Sequence, residues 1–121
     1  MDAADPVEGA RQAAIARVVT YITDHPYEPH APQDLAELAA MSKRRFLRVF
    51  QSVMGIDVKA YVRSVHIARA KQLLEETDLP VAQVMRRSGF ASTDAGRRAF
   101  LDAEQVTPRH FRGRRRGLLK D

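Results

Sequence analysis

The pattern that decides the fold lies in residues 34–62, which read DLAELAAMSKRRFLRVFQSVMGIDVKAYV. Pro32, just before this stretch, is a favoured first-turn residue for a short helix. Ser42 is a favoured N-cap for a second helix, whose apolar residues recur at helical spacing through Phe50. Gly55 ends that helix. The stretch therefore predicts two helices joined by a tight turn, with basic residues on the exposed side of the second helix.

The same arrangement occurs again about 50 residues later in the chain. At a spacing of 49, the matched pairs are Leu35 with Val84, Ala39 with Ser88, Ala40 with Gly89 and Met41 with Phe90. After an insertion at Ala91 the spacing is 50, and the pairs are Ser42 with Ser92, Arg48 with Arg98, Phe50 with Phe100, Val58 with Pro108 and Tyr61 with Phe111. Each copy has the order of a helix-turn-helix unit followed by a closing aromatic residue. Two copies in register are much harder to obtain by chance than one.

Helical spacing of apolar residues predicts an all-α chain of seven helices, with two helix-turn-helix subdomains joined by a long linker helix. We expect a disordered leader at 1–9, a first subdomain at 10–55, a linker helix at 58–75, a second subdomain at 79–113 and a basic tail at 114–121. A helix of 18 residues spans roughly 27 Å. This length is of the order of the distance, about 34 Å, between successive major grooves on one face of B-DNA.

Positive charge is concentrated in a few segments of the chain. The net charge is +5 and the pI is about 10.1. The basic clusters fall at 43–48, 86–87, 97–98 and 109–116. Acidic partners at helical spacing are almost absent from 43–54, which is unusual for an ordinary solvated helix face. A basic helix of this kind fits the major groove of B-DNA, where base edges present distinguishable donors and acceptors.

The residues needed for catalysis or metal binding do not form a recognisable pattern. The chain has no cysteine, which excludes disulfides, thiolate metal ligands and cysteine nucleophiles. No carboxylate pair, nucleophile elbow or phosphate loop is present, and His25 and His30 lack the carboxylate pattern of a metal site. The N-terminus does not resemble a signal peptide, and no apolar run approaches a membrane span. We therefore expect no enzyme activity, no cofactor, no metal and no membrane partner.

Several motifs together resemble the DNA-binding domain of AraC/XylS-type transcription regulators. They are the stretch at 34–62, ARAKQLLEETDLPVAQVMRRSGF at 68–90, RRAF at 97–100 and VTPRHFR at 106–112. The resemblance covers about residues 12–113. The segment GFAS followed by RRAF is similar to the branch whose longer members carry an amidotransferase-like N-terminal domain. The family fold is homeodomain-like, with seven helices in two subdomains bridged by a long helix.

The resemblance also implies a function for the chain. It implies a sequence-specific regulator, or its DNA-binding fragment, that binds double-stranded DNA, contacts RNA polymerase and activates transcription. We expect this chain to be a monomer in the bacterial cytoplasm, associated with the nucleoid when it is bound. Two other classes stay open, a nonspecific basic protein for nucleoid or membrane surfaces and a module attached to an enzyme, as in some DNA-repair proteins.

Two reading helices, at 43–54 and 93–103, are implied by the resemblance. The implied DNA-facing residues are Arg44, Leu47 and Arg48 in the first helix, and Thr93, Asp94, Arg97 and Arg98 in the second. We expect Arg48 and Arg98 to contact bases because an arginine fork suits guanine O6 and N7. Phosphate contact is the open alternative for both of them.

The remaining candidates have less certain targets. Leu47 either touches a thymine methyl group or is partly buried, and Asp94 either accepts from a cytosine amino group or is a charge at a helix N-terminus. Phosphate ligands are expected at Lys43, Arg45 and Arg97. The N-cap serines Ser42 and Ser92 complete the candidate DNA-binding set.

Five positions depart from the family pattern. Ala40 stands at a turn glycine, so the first turn is expected to be strained or of another type. Met85 replaces a small residue and should push its helices apart or be repacked. Gly96 replaces a leucine-like core position and should weaken anchoring. Gln105 stands where glycine is usual, and His66 where arginine is frequent. We therefore expect the C-terminal subdomain to be the looser half.

Overall fold

The computed structural model describes residues 6–117, and within that range the predicted all-α fold of seven helices is confirmed. The helices are α1 (Pro6–Asp24), α2 (Pro32–Leu38), α3 (Lys43–Met54), α4 (Val58–Glu76), α5 (Val81–Arg87), α6 (Thr93–Glu104) and α7 (Pro108–Arg115). The described residues contain no strand. The starts of α2, α3, α4 and α6 and the ends of α3, α4 and α6 agree with the sequence expectation to within about one residue.

The two ends of the chain differ from the expectation. Residues 6–9 of the predicted disordered leader belong to α1, because Pro6 has a backbone suited to a first turn and Glu8 stands near the positive end of the helix. Residues 1–5 lie outside the described residues. At the other end, α7 continues to Arg115, beyond the end predicted for the second subdomain at residue 113. The predicted basic tail at 114–121 therefore begins inside a helix, and its last four residues lie outside the described range.

Contacts divide the chain into two units, with a boundary that the sequence does not predict. Among the described residues, the first unit comprises 6–25 together with His30–Val62. The second comprises Pro26–Pro29 together with 63–117. The loop after α1, which the sequence assigns to the first subdomain, thus belongs to the second unit.

The core of the first unit is aliphatic, with a small aromatic group. Its fully or nearly fully buried side chains include Ile15, Val18 and Ile22 from α1, Leu35 from α2, Phe46, Val49 and Phe50 from α3, and Val58 from α4. The rings of Phe46 and Phe50 have centroids 5.8 Å apart, and Phe50 lies 5.8 Å from Tyr61. Burial of each large apolar side chain stabilises the unit by roughly 1.5–3 kcal/mol.

The core of the second unit repeats this plan with different residues. Its buried members are Ile67, Ala70, Leu73, Leu74, Val84, Met85, Phe100 and Phe111. Phe100 and Phe111 meet edge to face with centroids 5.5 Å apart. Since Phe50 pairs with Tyr61 and Phe100 with Phe111, the closing aromatic residue of each repeat contacts the aromatic residue of its own reading helix.

Candidate nucleic-acid interface

Helix α3 has one buried face and one cationic face. Its N-cap is Ser42, whose hydroxyl accepts a hydrogen bond from the backbone N–H of Arg45 at 3.2 Å. Phe46, Val49 and Phe50 are buried, so their spacing turns the opposite side of the helix to solvent. Gly55 ends the helix in the left-handed conformation, with φ of +73°.

The candidate residues of α3 lie on its solvent side. Lys43, Arg44, Arg45 and Arg48 are exposed, and Leu47 is half-buried. Arg44 and Arg48 are four residues apart and therefore share one helix face, with Leu47 beside them. Of the two interpretations of Leu47, a thymine contact or a partly buried side chain, this geometry favours the partly buried one. The four cations are accessible to a ligand.

The turn before α3 is closed by backbone hydrogen bonds in spite of its missing glycine. Ala40 adopts φ of +58°, a conformation that glycine adopts more easily. Its N–H donates to Glu37 O at 3.0 Å, and the Met41 N–H donates to Ala36 O at 2.9 Å. The strain expected at Ala40 from the sequence is therefore present, and the hydrogen-bonded turn holds α3 against α2.

Helix α6 presents its candidate residues in the same way. Ser92 accepts a hydrogen bond from the Ala95 N–H at 3.0 Å, as Ser42 does from Arg45 in α3. Asp94, Arg97 and Arg98 are exposed, and Thr93 is half-buried. Asp94 stands in the first turn, where a negative charge is favourable for the helix. The two arginines thus lie on the solvent side of a helix that is capped and anchored like α3.

Met85 and Gly96 fit each other across the packed helices α5 and α6. Met85 is fully buried, and a Cβ atom added at Gly96 would lie 2.7 Å from its Sδ atom and 3.0 Å from its Cβ atom. The expectation that Gly96 leaves the helix poorly anchored is therefore wrong, because the side chain of Met85 already fills that space. Of the two outcomes expected for Met85, the repacked one is observed.

The turn before α6 requires glycine for two reasons. Gly89 adopts φ of +99°, and an added Cβ atom would collide with His66 Nε2 and lie 2.9 Å from Glu28 O. His66 is buried, and its Nε2 atom lies at hydrogen-bond distance, 2.7 Å, from Glu28 O. The ring of His66 also meets Phe90 edge to face at 5.3 Å. The histidine that replaces the family's arginine is therefore a packing residue, which binds loop 26–29 to the second unit.

The C-terminal end of α6 uses Gln105 in place of glycine. Gln105 adopts φ of +62°, the left-handed conformation that Gly55 adopts at the matching position of α3. Its side-chain amide donates to Asp102 O at 2.8 Å. The side chain thus satisfies a carbonyl at the helix end, which offsets part of the conformational strain.

Two arginines of the basic cluster at 109–116 have a structural role. Arg112 donates from Nε to Leu74 O and from Nη2 to Thr77 O, both at 3.1 Å. Leu74 belongs to the last turn of α4, where carbonyl groups lack a partner within the helix, and Thr77 follows that helix directly. Burial lowers the pKa of Arg112. The sequence analysis did not predict that Arg112 caps α4. The only local indication of this role is that cations recur three and four residues apart at the end of α7.

Arg116 binds the same helix end and an acidic residue beyond it. Its guanidinium donates to Leu74 O at 3.2 Å and pairs with the carboxylate of Asp78. The hydrogen bond from Arg116 lowers the pKa of Asp78 below its ordinary value. Arg116 is thus paired within the unit, whereas the cations on α3 and α6 are directed to solvent.

Neither a metal site nor a membrane span is found in the part of the chain that the structure describes. Between residues 6 and 117, no group of three or more histidine, cysteine, aspartate or glutamate side chains could hold a metal ion. None of the helices in that range combines the length and the apolar character needed to cross a membrane.

The chain is similar to known helix-turn-helix proteins. The sequence model of a family described as a helix-turn-helix domain matches residues 35–114. The HTH-type transcriptional regulator Rv1931c of Mycobacterium tuberculosis is 35% identical over 83 residues, which are 69% of this chain and 32% of that protein. The HTH-type transcriptional regulator AlkR of Acinetobacter baylyi is 28% identical over 98 residues, 81% of this chain and 32% of that protein. The chain thus spans about a third of the length of these relatives.

Solved structures give the same result for the fold. The DNA-binding domain of AdpA, a global transcriptional factor crystallised with a target DNA, superposes with a TM-score of 0.81 at 32% identity. The match covers 86% of this chain and 94% of that domain. A transcriptional regulator with an AraC-type DNA-binding domain from Chromobacterium violaceum superposes with a TM-score of 0.75 at 25% identity, covering 88% of this chain and 96% of that one.

Proposed function

Because the chain belongs to the AraC-type helix-turn-helix family, we propose that it is a sequence-specific DNA-binding transcription regulator, or the DNA-binding part of one. In this proposal α3 and α6 enter successive major grooves of double-stranded DNA. The proposal is for a binding protein that needs no cofactor, not for an enzyme. The target DNA in the AdpA complex supports it.

One observation carries the proposal. In both helix-turn-helix units an arginine occupies the same repeat position, six residues after the N-cap serine, and is exposed on the solvent side of the reading helix. These residues are Arg48 and Arg98. Two residues further along, Phe50 and Phe100 are fully buried and anchor the helices. A helix that is anchored on one face and cationic on the other has the arrangement needed for direct readout in the major groove.

The candidate residues have different roles in this proposal. Arg48 and Arg98 contact guanine O6 and N7, where a bidentate arginine discriminates between bases. Arg44 shares a helix face with Arg48 and points into the same groove, whereas Lys43, Arg45 and Arg97 neutralise phosphates. Leu47, Thr93 and Asp94 supply weaker contacts, and Ser42 and Ser92 hold the helix N-termini.

Selection from random-sequence DNA tests specificity directly. The full chain should enrich a motif with two half-sites, one for each reading helix. Arg48→Ala and Arg98→Ala should each weaken binding to the selected site by about 1–3 kcal/mol and relax specificity in one half-site. Arg63→Ala is the matched control, because it removes an exposed arginine of α4 outside both reading helices. Selection that enriches no motif would refute sequence-specific recognition, and equal losses on random DNA would make these arginines phosphate ligands.

The proposal also covers RNA polymerase, the oligomeric state of the chain and its location in the cell. The bound protein contacts RNA polymerase and activates transcription, and the chain is a monomer in the bacterial cytoplasm. These statements rest on the family, in which the relatives named above are transcription regulators. Transcription in vitro from a promoter carrying the selected site should rise when the protein is added to purified polymerase. A fall in transcript would indicate repression instead, and sedimentation should show one chain per particle.

A further inference from the structure

A groove with cationic and apolar lining lies beside the second reading helix. It has a volume of about 440 Å³ and lies between α6 and the start of α7. Its lining includes the apolar residues Val81, Leu101 and Pro108 and the cations Arg97, Arg98 and Arg109. The described lining contains no acidic side chain. Leu101 is 47% exposed although it is a large apolar residue, so this groove offers a partner both positive charge and apolar surface.

The repeat places a second cation at the matching position of the first unit. Arg109 is the second residue of α7, and Lys59, fifty positions earlier, is the second residue of α4. Both side chains are exposed. Each follows the N-cap of its helix: Thr107 accepts from the His110 N–H at 3.1 Å, and Asp57 accepts from the Lys59 N–H at 2.8 Å. A cation therefore stands at the start of the helix that follows each reading helix.

We propose that Arg109 binds a backbone phosphate of the DNA strand that borders the groove read by α6, and that Leu101, the exposed apolar residue of this lining, contacts the adjoining deoxyribose. Lys59 binds a phosphate in the same way next to α3. The inference rests on the proposed function and extends it from the reading helices to the helices that follow them. These contacts position the protein on DNA and carry no sequence information themselves.

Charge and position both favour a nucleic-acid backbone as the occupant. A phosphodiester chain combines anionic oxygens with the apolar C–H surface of deoxyribose, which matches three arginines around Leu101 and Pro108. Arg97 and Arg98 line this groove and also belong to the proposed reading face of α6. When α6 is in a major groove, the surface beside it therefore faces the adjacent backbone.

The expected effect follows from counterion release. One phosphate contact contributes about 0.9 to the slope of log Kobs against log salt concentration. Over the range from 1 M to 0.15 M salt, that slope corresponds to roughly a fivefold difference in affinity. Loss of the Arg109 contact should therefore weaken binding about fivefold at 0.15 M salt, and by the same factor on the selected site and on scrambled DNA.

Salt titration of the full chain, followed by fluorescence anisotropy with labelled duplexes, tests this inference. Arg109→Gln should lower the salt slope by about 0.9 on both duplexes, whereas Arg109→Lys should keep most of the slope because lysine also binds phosphate. Arg63→Gln is the control for loss of one exposed positive charge, and it should leave the slope unchanged. The inference is overturned if Arg109→Gln binds with the wild-type slope, or if its loss of affinity is confined to the selected site.

A second pair of variants tests the groove itself. Leu101→Glu places a negative charge where the backbone is proposed to lie, and it should weaken binding on both duplexes more than Ala103→Glu does. Ala103 is the matched control because it is also exposed on α6 but lies about 200° around the helix from Leu101. Equal losses of affinity from the two substitutions would contradict contact between the DNA backbone and this groove. If the wild-type chain selects no motif, specific recognition fails, but a lower salt slope for Arg109→Gln on random DNA would still support the phosphate contact.

Discussion

The packing of Met85 against Gly96 leads to a quantitative prediction about the stability of the second unit. Replacing glycine by alanine in a helix interior normally stabilises a protein by about 1 kcal/mol. At position 96, however, the new methyl group would lie 2.7 Å from Met85 Sδ and 3.0 Å from both Met85 Cβ and Phe90 Cδ2. Overpacking of this kind costs roughly 1–3 kcal/mol. Gly96→Ala alone should therefore be neutral to destabilising, by about 0–2 kcal/mol.

A double-mutant cycle separates the two contributions. Met85→Ala removes a fully buried side chain, which should lower the free energy of unfolding by about 2–5 kcal/mol. In that background the 2.7 Å contact with Met85 Sδ is gone, whereas the 3.0 Å contacts with the Cβ atom of residue 85 and with Phe90 Cδ2 remain. Gly96→Ala should therefore be more favourable there than in the wild-type background, and its gain should reach at most the helix-propensity value of about 1 kcal/mol. The coupling between the two positions should accordingly be about 0.5–3 kcal/mol, with the double mutant more stable than the sum of the single substitutions predicts.

Urea unfolding, followed by far-UV circular dichroism, provides the measurement. Comparable m-values among the variants would show that the substitutions change the free energy of unfolding and not the surface that unfolding exposes. Gly9→Ala is the matched control, because Gly9 lies in α1 and an added Cβ atom would meet nothing within 4 Å. Gly9→Ala should raise the free energy of unfolding through helix propensity, because no packing cost opposes that gain. If Gly96→Ala stabilised the protein equally in the wild-type background and in the Met85→Ala background, the coupling would be zero and the reasoning from packing would be refuted.

Three other features give direct predictions. Gly89→Ala should destabilise the protein by more than about 1 kcal/mol, because it combines a left-handed backbone with contact against His66. A free energy of unfolding in urea that is as high as that of the wild type would contradict this. Arg112→Ala should lower the free energy of unfolding by about 1–3 kcal/mol through loss of the hydrogen bonds that cap α4, and Arg112→Lys should not restore it fully. Since Arg116 lowers the pKa of Asp78, the stability that this pair contributes should be present above an unfolded pKa of about 3.9 and be lost as the pH falls through the folded pKa. In unfolding measured from neutral to acidic pH, Asp78→Asn should remove that part of the pH dependence, and an unchanged profile would contradict it.

The helices and the repeat were predictable because their signals are local. N-cap serines act on the N–H three residues later, and apolar side chains at helical spacing lie on one face of the same helix. Both caps, at Ser42 and Ser92, form the expected hydrogen bonds. The solvent exposure of Arg48 and Arg98 follows from the same spacing, since Phe50 and Phe100 occupy the buried side. The cationic exposed face then indicated a fit to the major groove of DNA, and the family resemblance added the individual DNA-facing residues.

Departures from the family pattern could not be interpreted in the same way. Met85 and Gly96, taken one at a time, look like a side chain that is too large and a gap in the core. Only their packing across two helices shows that the sulfur of one fills the space left by the other. His66 similarly becomes intelligible only beside Gly89 and the Glu28 carbonyl oxygen.

The amino-acid sequence by itself determined the seven helices, the two matching helix-turn-helix units and the cationic face of each reading helix. Tertiary structure alone decided that loop 26–29 belongs to the second unit, that Met85 fills the space beside Gly96 and that Arg112 caps α4. The physical reason lies in the range of the interactions. Caps and periodicity act over three or four residues, whereas His66 and Arg112 each bind a carbonyl 38 positions away, and no local pattern encodes which distant groups meet.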